Sequence, residues 1–331
     1  MHLIENMEKL DLKDRKILYE LDIDSRQSFR SIGRKVGLSK DVVASRVKKL
    51  QEKGIIKNFI TEVNNYKTGY SGVKFFLTFQ NVTPKIKQEI IDYLVNNPNI
   101  SEVHSVEGAY DLCVISYVEN VPKFNNIWRD FINKYKDFFS NQIFCVESLI
   151  VNYKKTFLLD EKTGEKKDRI LFVESSNDKK VEMDSLDISI LKLLVPNSRI
   201  PTLEIANKLN STVKTINSRI KKLVKTGVFV IYTIEIDYQK IGYQWFIVDI
   251  VLKNPEKTQK IVEYIENNPN LLYRVNSLGY VDLELVFVLN NANQLHEIIE
   301  NLSSKFPDAI RNYKYSSTLK SDFGGFILKT Y

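Results

Sequence analysis

The sequence predicts an α+β chain in which two helix-turn-helix units alternate with two βαββαβ units. Three observations predict it. The 331-residue chain repeats itself at a fixed offset. Each repeat opens with helical apolar stripes broken by a short turn. Each then continues with strand-like runs alternating with helices.

The repeat is carried by polar and glycine positions, which chance does not hold in one register. At an offset of 173, Asp11 and Asp14 recur as Asp184 and Asp187, and Ser25-Arg26 as Ser198-Arg199. The same offset links Arg46 to Arg219, Lys48-Lys49-Leu50 to Lys221-Lys222-Leu223, Gly54 to Gly227, and Gly69-Tyr70 to Gly242-Tyr243. After a two-residue deletion the offset is 171, which pairs Asn96-Asn97-Pro98-Asn99 with Asn267-Asn268-Pro269-Asn270. It also pairs Gly108 and Asp111 with Gly279 and Asp282. The chain reads as a duplication. Helix-turn-helix units are expected at 7–64 and 183–237, and αβ units at 65–155 and 238–331. A polar linker is expected at 156–182, in which residues 170–173 could add a short strand.

In copy one, Ile17, Leu18 and Leu21 make a helical stripe over 12–22, and Ile32 and Val36 another over 28–36. Gly37-Leu38-Ser39 then breaks the chain, with a glycine that tolerates positive φ and a serine fit to cap the next helix. That helix runs over 40–53, beginning at Lys40, and stops at Gly54. Two helices joined by a three-residue glycine turn are the helix-turn-helix signature. In the later helix Val43, Val47 and Leu50 face inward. Asp41, Ala44, Ser45 and Lys48 face outward, with Lys49 on one flank. Copy two turns Ile216, Ile220 and Leu223 inward, and Lys214, Asn217, Ser218 and Lys221 outward, with Lys222 beside them. Short side chains and lysines suit a helix inserted in a major groove. A three-helix bundle with a solvated basic face is the alternative. Arg46 and Arg219 sit on the shoulder of the core face, where either Asp14 and Asp187 or a phosphate could hold them. In copy two Asn210-Ser211 replaces Gly37-Leu38, and asparagine accepts the left-handed conformation.

Charge follows the same division. Residues 1–60 hold fourteen Lys+Arg against nine Asp+Glu, and residues 183–232 hold eight against three. The whole chain is only +7, so everything else is net acidic. Positive charge is concentrated in two short segments, as expected where phosphates are met.

From residue 73 the pattern changes. Strands are expected at 73–79, 100–106, 111–118 and 143–151, and helices at 84–96 and 121–138, with a tight turn at 107–110. Copy two repeats the order at 244–252, 255–267, 271–276, 282–289, 291–306 and 310–318, and residues 326–331 suggest one extra strand. The order βαββαβ is the ferredoxin-like arrangement. Cys113 and Cys145 fall within apolar strands and read as buried free thiols, because two cysteines make neither a disulfide framework nor a structural zinc site.

Each copy resembles the Lrp/AsnC (feast/famine) family of prokaryotic regulators. The resemblance rests on Asp14-x-x-Ile17-Leu18, Ser25-Arg26, Gly37-Leu38-Ser39, Arg46-Val47-Lys48-Lys49-Leu50-x-x-x-Gly54, Gly69 and Gly108-x-Tyr110-Asp111. In copy two it rests on Asp187-x-x-Ile190-Leu191, Ser198-Arg199, Arg219-Ile220-Lys221-Lys222-Leu223, Gly227 and Gly279-x-x-Asp282. It implies winged helix-turn-helix domains followed by sensor domains that dimerise through their sheets. The implied partners are double-stranded DNA and an amino acid or similar small effector. Gly108, Tyr110 and Asp111, with Gly279 and Asp282, become the effector-site candidates. The other reading of those residues is a glycine that shapes a hairpin and an aspartate that caps it. Two copies in one chain imply an intramolecular pseudo-dimer, and further association of whole chains is compatible with it.

Enzymatic readings find little in the sequence. His2, His104 and His296 lack metal-ligand spacing. There is no Gly-x-Gly-x-x-Gly, no phosphate-binding loop and no Gly-x-Ser-x-Gly, so no catalytic residue, cofactor or metal is expected. One enzymatic branch shares the architecture, the sirohaem decarboxylases, which replace the Gly-x-Tyr-Asp region with an Asn-Leu-Trp-Phe-like strand. Here Gly108-Ala-Tyr-Asp and Gly279-Tyr-Val-Asp keep the regulator form. A third reading is an effector-binding module without DNA binding. The opening residues are too charged for a signal peptide and no apolar run approaches a membrane span, so a cytoplasmic protein is expected.

Overall fold

The same order of elements is built twice, and the two sets pair with each other. The computed structural model describes residues 8–159 and 168–323, and the strand expected at 326–331 lies outside them. Copy one opens with α1 (Leu12–Ile23), α2 (Phe29–Val36) and α3 (Lys40–Glu52). Asp11, Ser28 and Ser39 cap these helices by accepting the backbone N–H of Asp14, Ser31 and Val42. Gly37, at φ 68°, ends α2 in the left-handed region that favours glycine. Helices this short are marginal alone. Burial of Ile17, Leu18, Leu21, Ile32, Val43, Val47 and Leu50 in one core holds them, each contributing about 1.5–3 kcal/mol.

Copy one continues with β1 (Ile56–Val63), α4 (Asn65–Thr68), β2 (Ser71–Phe79), α5 (Pro84–Asn96), β3 (Ile100–Gly108), β4 (Leu112–Val118), α6 (Val121–Tyr135), β5 (Phe139–Tyr153) and β6 (Ile170–Ser175). Copy two comprises α7 (Ser185–Leu194), α8 (Thr202–Lys208), α9 (Val213–Lys225), β7 (Phe229–Ile236), β8 (Gln244–Leu252), α10 (Thr258–Ile265), β9 (Leu271–Leu278), β10 (Leu283–Leu289), α11 (Ala292–Lys305) and β11 (Ile310–Phe323). Asn210 takes φ 49° at the altered turn, as its side chain allows.

Strand β1 pairs antiparallel with β7, joining the two helical units. Ile60 lies opposite Thr233, Phe59 opposite Ile234 and Thr61 opposite Tyr232. Ile60 and Thr233 are equivalents at the repeat offset, so a pseudo-twofold axis passes through that pair. The sheets obey the same symmetry. Their orders are β5-β2-β4-β3 and β11-β8-β10-β9. Strand β5 runs on past β2 to pair with β9, and β11 runs on past β8 to pair with β3. The two sheets thereby close into an eight-stranded antiparallel barrel, which removes their edges. Helices α5 and α6 pack outside one sheet and α10 and α11 outside the other. Phe76, Tyr110, Cys113, Cys145, Ile247 and Val286 pack together between them. Both cysteines are free and buried; burial pushes the Cys145 thiol up to about 12.

Several expectations are corrected. Barrel closure lengthens the last strand of each copy, to 139–153 and 310–323 rather than 143–151 and 310–318. Expected helix 121–138 ends in a 3-10 turn over Lys136–Phe138, and 255–267 begins with one over Pro255–Lys257. The described parts of 156–182, residues 156–159 and 168–182, are not a free polar tether. Phe157 and Leu158 are buried in the core of the first helical unit, and β6 pairs with the far end of β5. Strand pairing, not linker reach, sets the separation of the two copies.

Candidate nucleic-acid interface

Helices α3 and α9 each present the outward row expected of a reading helix. Lys40, Asp41, Ser45, Lys48 and Lys49 are exposed and Ala44 is half-buried. On α9, Lys214, Asn217, Ser218, Lys221 and Lys222 are exposed. Val213, Lys214, Asn217, Ser218 and Lys221 line one open depression. Among the described residues Lys40, Lys49, Lys214 and Lys221 have no ion pair. Lys48 lies 3.7 Å from Glu52 one turn on.

The shoulder arginines are held from inside the protein. Arg46 lies 2.7 Å from Asp11 and 2.8 Å from Asp14, and Arg219 lies 2.6 Å from Asp184 and 3.3 Å from Asp187. The carboxylate partners expected for them, Asp14 and Asp187, are both in contact. The hydrogen bonds that Arg46 donates to Asp14 and Asp11 raise its pKa. Lys222 also reaches the buried Asp187, at 2.8 Å. These contacts clamp each reading helix to the first helix of its own unit.

The effector candidates lie on the turns between β3 and β4 and between β9 and β10. Gly108 has φ 125°, and a Cβ there would lie 2.6 Å from the Tyr315 carbonyl oxygen. The backbone N–H of Phe79 donates to the Asp111 carboxylate at 2.8 Å, and that of Leu252 donates to Asp282 at 2.7 Å. Both aspartates tie a turn to the neighbouring strand. Tyr110 is buried, with its hydroxyl on that of Tyr280.

Comparisons with known proteins agree with this geometry. A family model described as an AsnC-type helix-turn-helix domain matches residues 10–51, and one for winged helix-turn-helix DNA binding matches residues 183–230. The HTH-type transcriptional regulator Ptr1 of Methanocaldococcus jannaschii is 35% identical over 118 residues, which is 35% of this chain and 78% of that protein. The chain belongs to the Lrp/AsnC family. A second relative, the HTH-type transcriptional regulator FL11 of Pyrococcus furiosus, is 34% identical over 121 residues, 35% of this chain and 76% of that one. In fold, this Lrp/AsnC chain is similar to the siroheme decarboxylase NirDL, solved in complex with an iron-uroporphyrin III analogue. The TM-score is 0.64 with 96% of both chains covered, at 12% identity.

One polar cluster of this Lrp/AsnC chain escaped the sequence reading. Lys74 on β2 is buried 3.1 Å from Glu147 and 2.6 Å from Glu284, and Asp249 lies opposite Glu284 in the strand pairing. Tyr280 donates its hydroxyl to Asp249 at 3.0 Å. Burial, then the Glu284 charge, push the Asp249 carboxyl far up. The repeat gives no signal for this cluster, because the equivalents of Lys74, Asp249 and Glu284 are Ile247, Phe76 and Cys113.

Proposed function

We propose that the chain is a sequence-specific, cytoplasmic DNA-binding transcription regulator in which the two copies act as one built-in pair. The observation that carries the reading is the pair of reading helices, each matching a helix-turn-helix family model and bearing exposed lysines, Lys40 and Lys49 or Lys214 and Lys221, that no carboxylate holds among the described residues. Cations displayed on such a helix supply the sequence-independent part of DNA affinity. Among the described residues no helix is long and apolar enough to cross a membrane. A gel-shift titration of the folded chain on DNA upstream of its own gene tests the reading. Retardation that survives excess unrelated duplex is expected; none at low salt would sink it.

A small polar effector such as an amino acid belongs to the same proposal, at the Gly108 and Gly279 turns. Asp111 and Asp282 each have one oxygen on a backbone N–H. The second oxygen of each has no hydrogen bond among the described residues and remains open to a ligand amine. Thermal shifts with a panel of amino acids test this, since a ligand that binds only the folded state raises its stability. Stabilisation kept in Asp111→Ala with Asp282→Ala would locate the ligand elsewhere.

One observation favours a second reading, a sirohaem decarboxylase-like enzyme: the similarity to NirDL extends over 96% of the chain. Against it, the rings of Phe76, Tyr110 and Tyr280 pack on one another between the sheets, at 4.6 and 5.4 Å from Phe76. Anaerobic incubation with sirohaem, followed by mass spectrometry for loss of carboxylate groups, separates the two readings.

A further inference from the structure

Helices α3 and α9 are equivalent by the repeat but differ in charge and in reading chemistry. Helix α3 carries four cations and two carboxylates, whereas α9 carries five cations and no carboxylate. Where Glu52 lies beside Lys48 in copy one, the equivalent of Glu52 in copy two is Lys225. Two outward positions are shared, Ser45 with Ser218 and Lys48 with Lys221. Two are not. Asp41 is replaced by Lys214, and Ala44 by Asn217. An aspartate accepts a hydrogen bond from a cytosine amine and repels phosphate, whereas a lysine donates to guanine. An alanine meets a thymine methyl, whereas an asparagine reads adenine with two hydrogen bonds.

Strand pairing across Ile60 and Thr233 and the buried contact of Ser25 with Ser198 hold one helix of each kind together in every molecule. A single chain therefore cannot present two copies of either face. We infer that the chain takes an operator of two unlike half-sites, with α9 supplying most of the phosphate attraction and α3 the sharper rejection of wrong bases. This rests on the DNA-binding reading above and adds the form of the DNA. A strict palindrome would suit one helix and mismatch the other, at a cost of about five- to 150-fold per wrong base pair.

Selection of random duplexes by the full chain tests the inference, followed by selection with Asp41→Lys and Ala44→Asn together. Both substitutions lie on the solvent side of α3, and thermal melting checks that the variant folds. The wild type should enrich unlike half-sites about one helical turn apart. The double variant should shift to like half-sites and bind the wild-type site at least about fivefold more weakly. Like half-sites from the wild type would overturn the asymmetry while leaving DNA binding in place. Failure of the folded chain to enrich any duplex would overturn the regulator reading, and this inference with it.

Discussion

The hydroxyls of Ser25 and Ser198 meet at 2.6 Å, and the two residues are 173 positions apart, which is the offset of the repeat itself. Both are fully buried. Equivalent residues of two copies can touch only near the axis that relates them, and Ile60 with Thr233 marks the same axis in the strand pairing. The neighbouring arginines cross it in both directions. Arg26 donates to the Ser198 carbonyl at 2.7 Å, and Arg199 donates to the carbonyls of Ser25 at 2.5 Å and Gln27 at 2.9 Å. The Ser-Arg pair that helps to define the repeat is thus the clasp between its copies.

Arg199 carries more of that clasp than Arg26: its guanidinium stacks on two rings, Phe29 at 4.4 Å and Phe59 at 5.0 Å, where Arg26 stacks on Tyr232 at 5.3 Å. Arg199→Ala should cost about 2–3 kcal/mol, from two charge-assisted hydrogen bonds and a stacked cation. Arg199→Lys should recover only part of it, since an ammonium cannot reproduce the planar fork. Urea unfolding measures both. A midpoint unchanged in the alanine variant would remove the clasp from the stability of the pair.

Salt dependence should separate lysines that meet phosphate from cations held by the protein. Lys49→Ala with Lys221→Ala should flatten the slope of log K against log salt by roughly 1.8, at about 0.9 per phosphate contact. Lys222, already held by Asp187, should change the slope less, and its loss should appear as reduced stability. Fluorescence anisotropy across a potassium chloride series reads both effects. An unaltered slope in the Lys49 and Lys221 variant would take these helices out of the interface.

Local signals were legible in the sequence wherever one residue decides the backbone. Gly37, Ser39, Asn210 and Gly54 each mark a cap or turn by their own chemistry, and the structure has them there. What was not legible depends on contacts between distant segments. Nothing in the pattern of β5 says that its last residues pair with β9 rather than ending at residue 151. Residues 156–158 look like the start of a polar linker until Phe157 and Leu158 are seen inside the first helical core. Arg46 offered two partners in the sequence, and only the fold brings Asp11 and Asp14 within reach.

Lys74 supports the barrel through charge rather than packing. Burial disfavours its ammonium, yet Glu284 and then Glu147 hold its pKa well above the ordinary lysine value. Lys74→Met should destabilise by about 3–5 kcal/mol, because two carboxylates stay behind without their cation. Replacing all three residues by apolar ones, Lys74→Met with Glu147→Leu and Glu284→Leu, should regain most of the loss. Thermal melts of the two variants decide it. A triple variant no better than the single one would mean that the ion cluster itself stabilises the barrel.

Stability should fall as pH rises through neutrality, and Glu174 should contribute to the fall. Burial pushes its carboxyl up to about 8, opposed by the Asn65 N–H that donates to it at 3.0 Å. The folded value lies above the ordinary 4.5, so the unfolded chain releases this proton first as pH increases. The contribution is complete below about pH 4.5 and lost by about pH 8, with a slope approaching 1.4 kcal/mol per pH unit. Glu174→Gln keeps an acceptor for Asn65 and removes the proton. It should flatten the pH profile of urea midpoints and exceed the wild type at pH 8. A profile parallel to the wild type would assign the pH dependence to other groups.

Arg169 joins the copies from the segment first expected to be a linker. It is buried, and its guanidinium donates to the carbonyls of Glu266 at 2.7 Å, Leu271 at 2.8 Å, Lys154 and Pro269 at 3.2 Å, and Asn268. Its Nε donates to the Thr156 hydroxyl at 3.0 Å, and its plane stacks on Tyr153. Burial lowers its pKa to about 10, so it stays charged at neutral pH. One side chain thus satisfies most carbonyls of the turn between α10 and β9 in copy two, from a position just before β6. Arg169→Ala would take the guanidinium from all five carbonyls, leaving backbone N–H donors on those of Lys154 and Asn268, and should cost more than about 3 kcal/mol, as several charge-assisted hydrogen bonds are lost together. Amide exchange over residues 266–271 should accelerate, while the α1–α3 core keeps its protection. Arg169→Lys should fall nearly as far, because three donors on one nitrogen cannot span carbonyls spread around a turn. Wild-type stability in the lysine variant would show that charge alone, without the fork, holds this junction.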